Sequence, residues 1–249
     1  MIRALVGGIG SGKSVSAARM IARRKMPTFT NFGSNLPNVT RLEIGHIMKE
    51  TFVESPSGRG KPARKLSINW EFWKNALEET EGFDIILDEV HNIVNSRRAM
   101  SSFNVNMGMW LSQIRKILGS SERNDIVLIT QRINRIDLTF RDLLHEIISC
   151  DKMWVTKKGR WIAGTNANKK YARLIETKTW HNGKTRMRMV PEAIIIQHHF
   201  TGDQCVQRYE AFMMGMKKMH TSRNWFKANR FMQYYDSYEL IEFGDSAYL

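Results

Sequence analysis

Apolar residues along this chain arrive in short continuous runs separated by helix-spaced stretches, a pattern that predicts buried parallel strands alternating with helices. Ile2-Arg3-Ala4-Leu5-Val6 is the first run, and Val15, Ala18, Met20 and Ile21 mark a helix over about 14–24. A second strand is expected over 27–32, and a short apolar stretch at 41–44 leads into a helical segment reaching about Thr51. Trp73, Ala76 and Leu77 carry the next helix, and Ile85-Ile86-Leu87 the next buried strand. Trp110, Ile114 and Leu118 share one face of a helix over about 104–118, followed by the strand Ile126–Thr130 and a helix starting near Asp137.

Beyond residue 150 the pattern changes to alternation with period two. Residues 172–179 and 185–190 read as a hairpin turning at Asn182-Gly183, and Met153–Val155 with Trp161–Ala163 as a second. A strand over 193–200 and a helix over 204–219, with Met213, Met214, Met216 and Met219 as core or subunit contacts, complete the reading. The fold class expected is α/β. A mainly parallel sheet flanked by helices occupies residues 1–150, and a basic, hairpin-rich elaboration with a C-terminal helix and tail over 151–249 packs back on it.

Between the first strand and the first helix lies Gly7-Gly8-Ile9-Gly10-Ser11-Gly12-Lys13-Ser14, which fits G-x-x-x-x-G-K-[ST]. Glycines let backbone N–H groups turn inward on phosphates, and the helix N-terminus adds its positive dipole end. Lys13 is placed to reach the β- and γ-phosphates and Ser14 to ligate Mg²⁺, with Val15 closing the nucleotide-contacting stretch. ATP and Mg²⁺ are the cofactors expected. The strand Ile85–Leu87 ends in Asp88-Glu89, 75 residues after Lys13. Asp88 is assigned to the metal and Glu89 to the attacking water as general base. That second carboxylate favours hydrolysis over kinase chemistry, and no N-K-x-D guanine-reading motif occurs. Gln131, ending the next strand, has two readings, orienting the water or capping its strand.

Charge narrows the partner. The 249 residues carry a net charge of +14, and residues 152–190 hold eleven Lys/Arg against Glu176 alone. Such an excess favours a polyanion, nucleic acid first and an anionic membrane surface second; the basic hairpins suit the phosphate backbone of DNA over a merely solvated face, with Lys157, Lys158, Arg160, Lys184, Arg186 and Arg188 as the contacts. The stretch 54–65, with two prolines, two glycines and four cations, reads either as a basic surface insertion or as a nucleic-acid contact. Two cysteines make no disulfide framework, and no apolar run of eighteen residues suggests a membrane span, so a host-cytoplasmic or virion-associated protein is expected. His198-His199 has no acids at metal-ligand spacing and reads as structural.

The P-loop, Leu87-Asp88-Glu89-Val90-His91, Ser96-Arg97-Arg98-Ala99-Met100-Ser101, Gln113-Ile114-Arg115-Lys116, Thr130-Gln131 and Ile136-Asp137 with Arg141 follow one another in this order. Together they resemble the FtsK/HerA-like superfamily of P-loop ATPases. Within it the stretch is most similar to genome-packaging ATPases of tailless, membrane-containing icosahedral viruses, with zonula occludens toxin-like phage proteins next. Tyr235-Asp236-Ser237-Tyr238-Glu239 resembles the ending common to both groups. The resemblance implies a ring motor, pentameric or hexameric, with the Thr130-Gln131 strand inserted between the P-loop and Asp88-Glu89 strands. It further implies a DNA translocase that docks on a capsid vertex or portal-like protein, or alternatively a phage-morphogenesis ATPase. Arg141 and Arg98 are the first candidates for an arginine supplied to a neighbouring subunit's site.

Overall fold

A computed structural model describes residues 1–53, 63–93, 102–118, 124–181, 184–216 and 219–234. β1 (Ile2–Val6) leads through the P-loop into α1 (Lys13–Arg24), then β2 (Thr28–Thr30), β3 (Val39–Arg41), α2 (Ile44–Ile47), β4 (Met48–Val53) and β5 (Ala63–Ile68). α3 (Trp70–Thr80), β6 (Asp84–Leu87), α4 (Val90–Ile93), α5 (Ser102–Ile117), β7 (Ile126–Thr130) and α6 (Leu138–Asp142) complete the first half. The second half holds β8 (Glu146–Val155), β9 (Trp161–Ala163), β10 (Leu174–His181), β11 (Lys184–Pro191), β12 (Ala193–Thr201), α7 (Cys205–Met213) and β13 (Ser222–Lys227).

The main sheet runs β13-β12-β8-β1-β7-β6-β2-β3, with β9 paired to β8. From β8 to β3 every neighbour is parallel, and β12, β13 and β9 add antiparallel pairs. β7 lies between β1 and β6, the insertion the resemblance implies. This is the α/β arrangement of a P-loop NTPase.

Both faces of the central strands are buried, which is why their sequences read as continuous apolar runs. Ala4, Val6, Ile85, Leu87 and Leu128 face a core built with Trp73 of α3 and Trp110 of α5. Leu5, Ile86, Val127 and Ile129 face the other way, onto Ala17 and Ile21 of α1. Asn69 caps α3 by accepting from the Phe72 N–H, and Asp137 caps α6 by accepting from the Thr139 N–H. Near the N-terminal ends of the strands, Arg24 bridges Asp84 (3.0 Å) and Asp125, while Arg3 bridges Asp125 (3.2 Å) and Glu146 (3.1 Å).

Several expectations need correction. Met48–Val53 is not helical; it pairs antiparallel with β5, so part of the expected 54–65 insertion, Ala63–Lys65, is strand. Residues 54–62 lie outside the described residues, as do Asn182-Gly183 and the tail 235–249. α7 ends at Met213 rather than running to Met219, and Met213, Met214 and Met216 are exposed, not core; only Met219 packs on the core. β8 passes through residue 150, and β9, β12 and β13 extend the same sheet, so the β8–β9 hairpin grows out of the P-loop sheet itself, while β10–β11 forms a separate two-stranded sheet. Both hairpins appear where alternation places them, β8 with β9 and β10 with β11. The structural reading of His198 and His199 stands, with the addition that they pair with Asp151 (3.7 Å) and Glu146 (2.7 Å) of β8.

Candidate active site

The P-loop emerges from β1 between its neighbours and turns back into α1 under tight steric control. A Cβ on Gly7 would lie 2.5 Å from Ser11 Oγ and 2.6 Å from the Cys150 carbonyl oxygen of β8. Gly12, at φ +96°, would put a Cβ 2.2 Å from Ile195 Cδ1 of β12. A side chain is therefore strained at both positions, by conformation (φ +153° at Gly7, +96° at Gly12) as well as by space. Gly8 by contrast faces open space, and Ile9 projects at 88% exposure, so the rim of the loop is accessible from outside.

Inside that cradle Lys13 is only 7% exposed and its Nζ donates to the carbonyls of Gly7 (2.9 Å) and Gly8 (3.0 Å). Burial pushes its pKa down, opposed by the charges of Asp88 and Glu89. Ser14 Oγ donates to Asp88 Oδ2 at 2.8 Å, joining the helix start to the end of β6. Asp88 is 4% exposed; burial raises its pKa, opposed by the Ser14 hydroxyl and by the Glu89 N–H, which donates to Asp88 Oδ1 at 2.7 Å. Glu89 stands on left-handed backbone at φ 51°, and Gln131 Nε2 lies 3.5 Å from its Oε1.

Both buried charges fit a nucleotide phosphate and a divalent cation. A desolvated ammonium gains from a phosphate, and a desolvated carboxylate gains from a divalent cation. The Ser11 hydroxyl, buried and among the described residues without a hydrogen-bond partner, sits in the same loop. Among the described residues no cluster of three or more His, Cys, Asp or Glu could hold a metal. Mg²⁺ needs only one or two protein oxygens, since water and phosphate fill the rest of its octahedron, and Ser14 Oγ and Asp88 Oδ2 stand 2.8 Å apart at this point.

A family model for zonular occludens toxin (Zot) matches residues 1–194. The chain belongs to the Zot family. Among solved structures it is similar to the N-terminal domain of zonular occludens toxin from Neisseria meningitidis, at 18% identity over 84% of this chain and 89% of that one, with a TM-score of 0.43. It is also similar to the genome packaging NTPase B204 from Sulfolobus turreted icosahedral virus 2 in complex with ATP-gammaS, at 16% identity over 59% of this chain and 74% of that one, TM-score 0.35. No curated protein matches it.

In this Zot-family chain Lys13, Ser14, Asp88, Glu89 and Gln131 converge on one end of the parallel strands, where ligands of α/β sheets bind. Arg141 lies in the last turn of α6, and among the described residues its buried Nε has no hydrogen-bond partner. Arg98 and Arg97 fall outside the described residues. Arg115 is turned to His145, 3.1 Å from its Nε2. Lys157, Lys158 and Arg160 are exposed on the β8–β9 turn, and Lys184, Arg186 and Arg188 are exposed along β11.

The reading from sequence missed Asn31. This buried side chain, just past β2, accepts from the Asp88 N–H at 2.6 Å and donates to the Asp88 carbonyl at 2.9 Å. It does for Asp88 what a neighbouring strand would do, and so fixes where β6 delivers its carboxylate. The available signal was an asparagine ending the strand that pairs with the Asp88-Glu89 strand, legible only once that pairing is known.

Proposed function

We propose that this chain hydrolyses ATP and uses the hydrolysis to move DNA during virus assembly. The observation that carries the reading is the Ser14–Asp88 hydrogen bond at 2.8 Å, with Glu89 next along the backbone. It supports one site in which the loop N–H groups and Lys13 hold the phosphates and Ser14 and Asp88 hold Mg²⁺. Glu89 then accepts a proton from water, and Gln131 steadies that carboxylate and the water. Bound Mg²⁺ supplies charge neutralisation on the phosphates. Lys157, Lys158 and Arg160, with Lys184, Arg186 and Arg188, form the track for the phosphate backbone. The working form is a homo-oligomeric ring, five- or six-membered, in which Arg141 or Arg98 of one subunit completes the next subunit's site, and the ring docks on a capsid vertex or portal-like protein.

Family membership favours a second reading, a morphogenesis ATPase acting on capsid protein at a membrane. Among the described residues no helix is long and apolar enough to cross a membrane. Steady-state hydrolysis of Mg-ATP with and without DNA separates the two. Stimulation by DNA several-fold or more supports the translocase. Turnover indifferent to DNA but raised by capsid protein moves the function to the second reading, and absence of turnover refutes both.

A further inference from the structure

The outer, antiparallel part of the sheet has one face that borders the basic track at the β8–β9 turn and takes no part in the active site. Register puts Trp161 of β9 opposite Val155, and Trp225 of β13 opposite Ile196, so both rings project on the same face as Met153, Val155, Ile194 and Ile196. Val155, Ile194 and Ile196 are buried there as a small cluster with Met153 packed on them. The two indoles are not buried. They are 43% and 53% exposed, with ring centroids 5.2 Å apart and planes inclined at 63°.

Cations flank the pair. The turn Thr156–Arg160 is closed by Gly159 N–H to the Thr156 carbonyl (2.8 Å) and Thr156 N–H to the Arg160 carbonyl (2.9 Å), which holds Lys157 and Lys158 at its tip beside Trp161. On β13, Arg223 and Lys227 alternate in step with Trp225 and share its face. Among the described residues Asp151 shares this face, 3.7 Å from His198, and Lys227 reaches Glu192 at 3.7 Å, a carboxylate that Arg173 also binds.

We propose that Trp161 and Trp225 are a base-stacking platform for single-stranded DNA. Half-exposed indoles on a firm apolar floor offer flat π-surfaces, and the surrounding cations track the phosphates between successive bases. A duplex cannot use such a surface, because its bases are stacked on one another and only phosphates and groove edges reach a protein. A second copy of this chain is a poorer occupant. Seated patch to patch, Lys157, Lys158, Arg223 and Lys227 of the two copies would face one another. The inference rests on the reading that the cargo is DNA, and adds the strandedness and the site.

The test is fluorescence anisotropy on the full chain, without nucleotide and at one fixed salt concentration. Three labelled probes are used: oligo(dT), a strand of equal length and charge made of abasic sites, and a duplex of that length. Oligo(dT) is expected to bind about tenfold tighter than the abasic strand. Trp161→Ala and Trp225→Ala are expected each to remove most of that preference while leaving abasic binding unchanged. Trp161→Phe and Trp225→Phe, which keep an aromatic ring, restore it; Trp161→Leu and Trp225→Leu, which keep apolar cover without a ring, do not. Equal affinity for oligo(dT) and the abasic strand overturns the platform, as does full dT preference in the leucine variants. If all three probes bind equally, the DNA reading survives and the platform fails; if none binds, both fail.

Discussion

Replacing Asn31 by alanine removes the two hydrogen bonds that hold the backbone of Asp88, at 2.6 and 2.9 Å. Asn31 is itself 2% exposed, so the freed N–H and C=O of Asp88 lose their partners inside the protein. A buried backbone group left unsatisfied costs about 1–3 kcal/mol, so the pair sets a ceiling of roughly 6 kcal/mol. Water entering the space left by the side chain brings the expected loss down to about 3 kcal/mol. Asn31→Asp is the sharper variant. One oxygen still accepts from Asp88 N–H, while the other now faces the Asp88 carbonyl as acceptor against acceptor. Urea unfolding, read as the shift in midpoint at unchanged slope, measures the stability term. Turnover at saturating Mg-ATP measures the second consequence: a displaced Asp88 no longer presents Oδ2 to Ser14, and a fall of about tenfold or more is expected. Midpoint and turnover both unchanged in Asn31→Ala would refute the assignment of Asn31 as the support of this carboxylate.

Neutralising Lys157, Lys158 and Arg160, or Lys184, Arg186 and Arg188, is expected to weaken DNA binding and flatten log affinity against log salt by about two to three, with basal turnover retained; an unchanged slope removes those residues from the track. Gly12→Ala is expected to abolish nucleotide binding, because its Cβ would fall 2.2 Å from Ile195 Cδ1. Trimming the partner in Gly12→Ala/Ile195→Ala relieves the clash but not the left-handed backbone, so nucleotide titration should show partial rescue at most. For an arginine acting in trans, mixing Lys13→Ala subunits with Arg141→Ala subunits is expected to recover some turnover, since the first lends its arginine to the second's intact pocket. No recovery in rings shown to be mixed excludes Arg141 from that role.

The parts legible in the amino-acid order are those whose chemistry is local. The P-loop is readable because Gly7, Gly12, Lys13 and Ser14 are adjacent in sequence and each has one job in a single turn of chain. Asp88-Glu89 is readable because two acids end a buried strand in a chain that already carries a P-loop, where alone they would read as solvated. The β10–β11 hairpin is readable from strict alternation. What was not legible depends on contacts between distant segments. Met48–Val53 is a strand because β5 pairs with it, a fact its own composition does not carry. His198 and His199 find Asp151 and Glu146 only because β12 runs antiparallel to β8. Asn31 gains its role from the pairing of β2 with β6, and Trp161 and Trp225 meet only because β9 and β13 flank the β8–β12 pair.

The most direct test of the active site is a single-turnover experiment with γ-labelled ATP and Mg²⁺, comparing the parent chain with Glu89→Gln. The glutamine keeps the shape of the side chain and leaves Lys13, Ser14 and Asp88 in place, so only the proton acceptor is lost. Expected is nucleotide affinity within a fewfold of the parent, with release of labelled phosphate slowed by about a hundredfold or more. Phosphate release at the parent rate from Glu89→Gln, with nucleotide bound, would contradict the site as described.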